Sequence, residues 1–332
     1  MKYNSVLVTR HGGPEVLQII ENDLRPPSPG EARIKVLAAP VCAPDITARY
    51  GWSPFVPKLP FTPGYAFIGS VDAVGKGVAN VDVGDRVAAL TAYGAYTEYL
   101  YWDGEQLIPV PATLDPAEVA PLILNYIVAY HVMHRWARGK TRDKVLIIGA
   151  SGGIGTAFLQ LGKLANLKMY GVASKSKHYI LTEYGAKPID YHTQDFVVVI
   201  RQAEPNGLDA VFDGMAGDYF KRGFSVLQRG GTLVGYGNPM SFSGMLKVLA
   251  QVVLFSLLPN GKSAKYYSTG ASRINKGMFM EDWAKLFKLL EEGEIKPIIA
   301  AKFPILEAAK ANELLESGQV VGSIVLLSPE LL

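Results

Sequence analysis

At 332 residues the chain is longer than one ordinary domain, and 49% hydrophobic with 19% charged residues exclude a disordered or fibrous protein. A formal net charge of +3, without a run of Lys or Arg, excludes a nucleic-acid footprint. The single cysteine, Cys42, excludes an intrachain disulfide and a zinc site of several thiolates, and it points to a reducing compartment, by default the cytoplasm.

The first residues, MKYNSVLVTRHGG, alternate apolar and polar like a strand and lack the apolar run and small-residue cleavage site of a secretory leader. To about residue 110 the chain is rich in Gly, Pro and short β-branched runs, at 32–38, 68–74, 85–90 and 95–101. Turn signals at Pro26-Pro27, Pro29-Gly30 and Gly75-Lys76-Gly77 separate them and predict a small barrel-like β domain. Asp115 can cap a helix with Pro116 at its first position and Glu118 in its first turn, and an apolar helical stretch follows to about Ala137.

An alternation comes next: strand 144–149, helix 155–165, strand 168–173, helix 177–184 and a short strand at 188–190. Apolar strands at 209–213 and 231–235 complete the pattern of a doubly wound parallel sheet. The apolar patch from Met245 to Pro259 is interrupted by Lys247 and Gln251 and is shorter than the roughly 20 residues that span a bilayer. It reads as a buried or substrate-facing helix in preference to one lying on a membrane surface. Amphipathic helices at 283–291 and 308–317 and a closing strand at 323–327 end the chain.

The turn Gly149-Ala150-Ser151-Gly152-Gly153-Ile154-Gly155 directly follows the strand VLII and opens the helix TAFLQLGK. In that setting backbone N–H groups and the positive end of a helix face a pyrophosphate, and side chains there would block its approach. Ala150 occupies the first place of the G-x-G-x-x-G pattern, while Gly152 and Gly155 hold the other two. About 20 residues further on, an NAD-binding protein shows an acid for the ribose hydroxyls. This chain shows Ala173-Ser174-Lys175-Ser176-Lys177, a hydroxyl and a lysine that can donate to a 2′-phosphate, so the expected cofactor is NADPH.

With these residues the chain resembles the medium-chain dehydrogenase/reductase superfamily, in its zinc-free quinone oxidoreductase branch. The matching blocks are LPFTPGYAFIGSVDAVGKGV (59–78), VGDRVAAL (83–90), GAYTEY (94–99), NYIVAYHVM (125–133), VLIIGASGGIG (145–155) and VVGSIVLL (320–327). The resemblance implies a GroES-like β-barrel domain over 1–120 plus 295–332, a Rossmann NADPH-binding domain over 121–294, a cofactor cleft between them, and a homodimer. It further implies that Ser151, Gly152, Gly153, Ile154 and Gly155 receive the pyrophosphate and that Ser174, Lys177 and Tyr191 surround the 2′-phosphate. It places Asn125, Tyr236 and Gly237 near the nicotinamide. Asn125 and Tyr236 also fit as satisfied polar residues at element ends. Trp52 and Phe55 fit equally as substrate-pocket walls or as core aromatics.

Zinc alcohol dehydrogenases of the same superfamily place a Cys, a His-Glu pair and a further Cys or Asp around a metal. Cys42 stands where the first ligand would be, Tyr65-Ala66 stand at the His-Glu pair, and a lobe of about four cysteines has no counterpart here. None of His11, His131, His134, His178 and His192 is spaced with Cys42 for a metal site, and each reads as a surface or cap residue. Cys42 itself reads as a small buried hydrophobe or as a catalytic thiol. Without a metal, the chemistry left is hydride transfer to an activated acceptor, a quinone or α,β-unsaturated carbonyl, with Tyr65 as hydrogen-bond donor. The alternative is an NADPH-binding sensor or scaffold with little turnover.

Overall fold

A computed structural model describes residues 1–52, 56–237, 241–272 and 276–332, and its contacts divide the chain into two compact units, Met1–Leu124 with Trp283–Leu332, and Asn125–Asp282. In the first unit β1 (Lys2–Val8) pairs antiparallel with β2 (Leu17–Asp23), from Lys2 opposite Asp23 to Val8 opposite Leu17. The long β3 (Glu31–Val41) organises the second sheet. One edge of β3 pairs with β4 (Ala66–Val74), which continues to β5 (Arg86–Leu90). On the other edge β6 (Tyr99–Asp103) takes the first half of β3, Glu31 to Lys35. The short β7 (Ile108–Pro109) closes against β5.

The second unit holds β8 (Lys144–Ile148), β9 (Lys168–Ala173), β10 (Lys187–Asp190), β11 (Leu208–Asp213), β12 (Leu227–Gly235) and β13 (Ser263–Tyr266). They form one parallel sheet in the order β10-β9-β8-β11-β12-β13. Val145 to Ile148 are all buried, as a strand covered by helices on both faces requires. The strand order reverses between β8 and β11, and in such sheets ligands bind beyond the strand ends at that point. The chain then returns to the first unit, where β14 (Ile299–Pro304) lies parallel to β15 (Ser323–Leu327). Residues 324–327 of β15 pair with the second half of β3, Ala38 to Val41, so the last strand completes the sheet begun by the first third of the chain. This is the expected α/β architecture, a β domain and a doubly wound parallel-sheet domain.

Several elements differ from the sequence expectation. The run at 95–101 becomes a strand only from Tyr99, because the backbone of Ala95 and Tyr96 is bonded instead to Gly64, Pro63 and Val6. Helices Phe196–Ala203 and Asp218–Ser225 were not expected. The first contains Val197-Val198-Val199-Ile200, which on β propensity alone reads as a strand. The Asp195 carboxylate accepts from the Val197 N–H at 2.8 Å, and Phe196 and Ile200 both face the core, so cap and burial override propensity. The apolar patch forms the helix Phe242–Leu257, and the expectation of a buried helix is corrected. Val248 and Phe255 are buried, but Leu246, Leu249, Val253, Leu254 and Leu257 are exposed, because the helix packs on the sheet by one side only.

Candidate active site

The glycine turn follows β8, and each glycine there answers to a different demand. Gly149 has φ +83°, in the left-handed region. A β carbon at Gly155 would stand 2.2 Å from the Gly149 carbonyl oxygen and 2.5 Å from the Ala150 carbonyl carbon, so only glycine lets the helix Gly153–Leu164 lie this close to the strand end. Gly152 differs. Its backbone is extended, and a β carbon there would meet nothing nearer than the Gly149 oxygen at 3.7 Å. No described residue demands glycine at 152. Its exposed backbone at the helix start, where no side chain provides a cap, is an open cradle for an anion. Ser151 is buried, while Gly153 and Ile154 are half-buried in the first turn.

β9 ends at Ala173, and Ser174 leads into a tight turn, Lys175–Lys177. The Ser174 and Ser176 hydroxyls lie 3.4 Å apart, and partial burial lowers the pKa of Lys177. β10 runs beside β9 with Asp190 level with Ala173, which brings Tyr191, exposed and against His192 at 4.1 Å, to the same end of the sheet. The acid at this edge is Asp190, and it is occupied locally. It accepts from the His192 N–H at 3.2 Å and the Thr193 hydroxyl at 2.9 Å.

Across the switch point the sequence had given no weight to Asp213, the last residue of β11. Its Oδ1 accepts from the N–H groups of Met215 and Ala216 at 2.8 and 3.1 Å, while its fully buried Oδ2 has no hydrogen-bond partner. Burial raises this carboxyl to about 6. Asp213 thereby shapes the loop after β11, where Ala216 and Gly217 both have positive φ, beside the strand that ends in the glycine turn. Tyr236 follows β12, and its hydroxyl lies 3.5 Å from the Ile148 carbonyl. The Tyr266 hydroxyl donates to the Gly237 carbonyl at 2.5 Å. Asn125 is buried in the wide helical turns of Leu122–Tyr126, a geometry that recurs at functional sites.

In the first unit Tyr65 precedes β4 and is half-exposed. Its loop is held by Asp45, a residue that the sequence reading passed over. Asp45 is buried on the short helix Ala43–Arg49. Its Oδ2 accepts from the Cys42 N–H and the Tyr96 hydroxyl, both at 2.9 Å, and its Oδ1 accepts from the Gly64 N–H at 3.1 Å. Burial raises this carboxyl also to about 6. From the other side the Thr91 hydroxyl donates to the Gly64 carbonyl at 2.9 Å, and the Thr91 N–H donates to the Tyr65 carbonyl at 2.9 Å. The signal was present in the spacing Cys42-Ala43-Pro44-Asp45, an acid at the third position of a helix start that can reach back to the cap backbone.

Cys42 is buried, and burial with the nearby Asp45 charge raises its thiol well above the ordinary range, so a reactive thiolate is disfavoured there. Trp52 is exposed and stacks on Tyr50 at 4.2 Å, outside the core; Phe55 lies outside the described residues. The reading of every histidine as a surface or cap residue is corrected for His131. That ring is fully buried, its Nδ1 3.0 Å from the Tyr267 hydroxyl and its Nε2 3.2 Å from Asp282 Oδ2. Arg135 completes the cluster with hydrogen bonds of 3.0 and 2.8 Å to the Asp282 carboxylate. Burial lowers His131 to about 4, so it is held as the neutral ring.

Two family descriptions match the chain: "Alcohol dehydrogenase GroES-like domain" over residues 28–112 and "Zinc-binding dehydrogenase" over 184–326. The human "Synaptic vesicle membrane protein VAT-1 homolog" is 31% identical, over 97% of this chain and 86% of its own length. A "2-haloacrylate reductase" from Burkholderia sp is 29% identical, over 97% and 98%. The crystal structure of Escherichia coli quinone oxidoreductase complexed with NADPH superposes with a TM-score of 0.88 at 27% identity, over 98% and 99%. The fold and the glycine turn define a nucleotide-dependent oxidoreductase. The chain belongs to the medium-chain dehydrogenase/reductase superfamily, in its quinone oxidoreductase-like branch.

The zinc of the matched description does not fit the donors present. Among the described residues no group of three or more His, Cys, Asp or Glu side chains could hold a metal ion. No helix among the described residues is long and apolar enough to cross a membrane.

Proposed function

We propose that this protein is an NADPH-dependent reductase of quinones or α,β-unsaturated carbonyls that works without a metal. The observation that carries the reading is Gly152, a glycine that the packing of the described residues does not require, set before a second strand that is followed by Ser174 and Lys177 without an acid. Bound NADPH supplies the hydride. The turn from Ser151 to Gly155, whose Gly152 N–H also donates to the Gly149 carbonyl at 3.3 Å, receives the pyrophosphate, and Ser174, Lys177 and Tyr191 receive the 2′-phosphate. Asn125, Tyr236 and Gly237 orient the nicotinamide end.

Hydride addition to an electron-poor carbon leaves negative charge on the conjugated oxygen. The Tyr65 hydroxyl donates a hydrogen bond to that oxygen and stabilises the charge as it forms, and a proton then completes the reduction. Asp45 fixes the backbone on which Tyr65 stands, and Trp52 is assigned to the wall of the acceptor pocket. An E. coli quinone oxidoreductase with NADPH and a reductase named for an activated alkene, 2-haloacrylate, support this substrate class.

The test is NADPH oxidation with 9,10-phenanthrenequinone and simple enones, alongside titrations of NADPH and NADH. Turnover with at least one acceptor class and tighter NADPH than NADH binding are expected. Tighter NADH binding removes the phosphate argument, and NADPH binding without turnover of any acceptor assigns the protein to sensing or scaffolding.

A further inference from the structure

The helix Phe242–Leu257 presents an uncovered row of apolar side chains, Leu246, Leu249, Val253, Leu254 and Leu257. Their spacing sets them on one face, opposite Val248 and Phe255, which pack inward, Phe255 against Phe224 at 4.4 Å. Leu257 at the tip is 76% exposed, and the exposed Leu258 follows it. A contiguous apolar face of this kind on a globular protein marks a contact surface.

The segment that carries the helix has charge of one sign only. From Tyr219 to Met280 the sequence contains no Asp or Glu, while it carries Arg229, Lys247 and Lys262 among its cations. The turn after the helix gathers cations from distant segments. Arg229 lies under Gly261, and Arg201 stands close enough to Lys262 to lower its pKa further after burial has done so. None of Arg201, Arg229 and Lys262 forms an ion pair among the described residues. Lys247 adds a charge on the exposed side of the helix itself.

We propose that the exposed face of helix 242–257, with Arg201, Arg229 and Lys262 at its tip, docks on an anionic lipid bilayer. An apolar stripe beside unpaired cations matches the boundary between acyl chains and acidic headgroups, where leucines enter the apolar layer and Lys and Arg stay with phosphate and carboxylate. A second copy seated tip to tip on the same face would bring Arg201, Arg229 and Lys262 against their own counterparts. The contact is peripheral, since the helix is too short to cross a membrane.

The test uses the full chain and flotation with vesicles of phosphatidylcholine alone, or of phosphatidylcholine and phosphatidylserine at about 3:1. The protein is expected to float with the anionic vesicles, not with the neutral ones, and to be released by high salt. Arg229→Glu with Lys262→Glu, and separately Leu254→Glu with Leu257→Glu, should each lower the bound fraction at least about tenfold while keeping the unfolding midpoint. Leu257→Ser, at the most exposed site, serves if a double variant does not fold, and should also weaken binding. The proposal is overturned if the unaltered chain does not float with anionic vesicles, or if folded variants float as well as it does. It is equally overturned if the chain sediments as a dimer without binding vesicles and the leucine variants turn it into a monomer, which would give the face to a second copy.

Discussion

A β carbon placed on Gly155 would come within 2.2 Å of the Gly149 carbonyl oxygen, whereas one placed on Gly152 would have room. The two glycines of one motif therefore serve different masters, the first the packing of helix on strand and the second the ligand. Gly155→Ala should destabilise the fold by about 2 kcal/mol, lowering the unfolding midpoint by at least about 5 °C. Gly152→Ala should leave that midpoint within about 1 °C of the parent and raise the Kd for NADPH at least about tenfold. Differential scanning fluorimetry with and without NADPH separates the two.

Cofactor choice should turn on the end of β9. Lys177→Ala removes a charge-assisted bond to the 2′-phosphate and should weaken NADPH by about tenfold while leaving NADH within about twofold. Ser174→Asp supplies the missing acid and repels the phosphate, so NADPH should weaken by about a hundredfold and NADH should become the tighter ligand. Fluorescence titration of both nucleotides decides the matter, and unchanged selectivity in both variants would refute the assignment.

Tyr65→Phe removes the hydroxyl and keeps the ring. Turnover with quinones or enones should fall at least about tenfold with the NADPH Kd unchanged. Steady-state rates at saturating NADPH read this directly; undiminished turnover takes Tyr65 out of the mechanism.

Asp45 and Asp213 both titrate near 6 through burial, yet the same substitution should act on them in opposite directions. A carboxyl whose folded pKa lies above its unfolded value, 3.8, binds more protons when folded, so its ionisation costs stability as pH rises from about 4 to about 6. Asp213→Asn keeps the Oδ1 acceptor for Met215 and Ala216 and removes that cost. It should stabilise by about 2 kcal/mol at pH 7.5 and by nothing near pH 4. Asp45→Asn removes the same charge but turns an NH2 group toward N–H and O–H donors of Cys42, Tyr96 or Gly64, so it should lower the unfolding midpoint at pH 7.5.

His131 has the reverse sign. Its folded pKa, about 4, lies below the ordinary 6.5, so the neutral ring contributes stability that is present above pH 6.5 and is lost as pH falls toward 4. His131→Phe should therefore flatten the loss of stability between pH 6.5 and 4, as thermal unfolding across that range would show.

The sequence by itself determined five of the six strands of the parallel sheet, the glycine turn and the acid-free end of β9, because each is written in neighbouring residues: an apolar run, a Gly spacing, a strand end. It determined the β domain through the same local turn signals. What only the tertiary structure decided are relations between distant segments. Asp45 reaches Gly64 and Tyr96, His131 reaches Tyr267 and Asp282, and Arg229 lies under Gly261, none of which any local period encodes. The helix at 242–257 shows the same division: its sequence specifies an apolar helix, but burial is a property of what packs against it, and only one of its faces is covered.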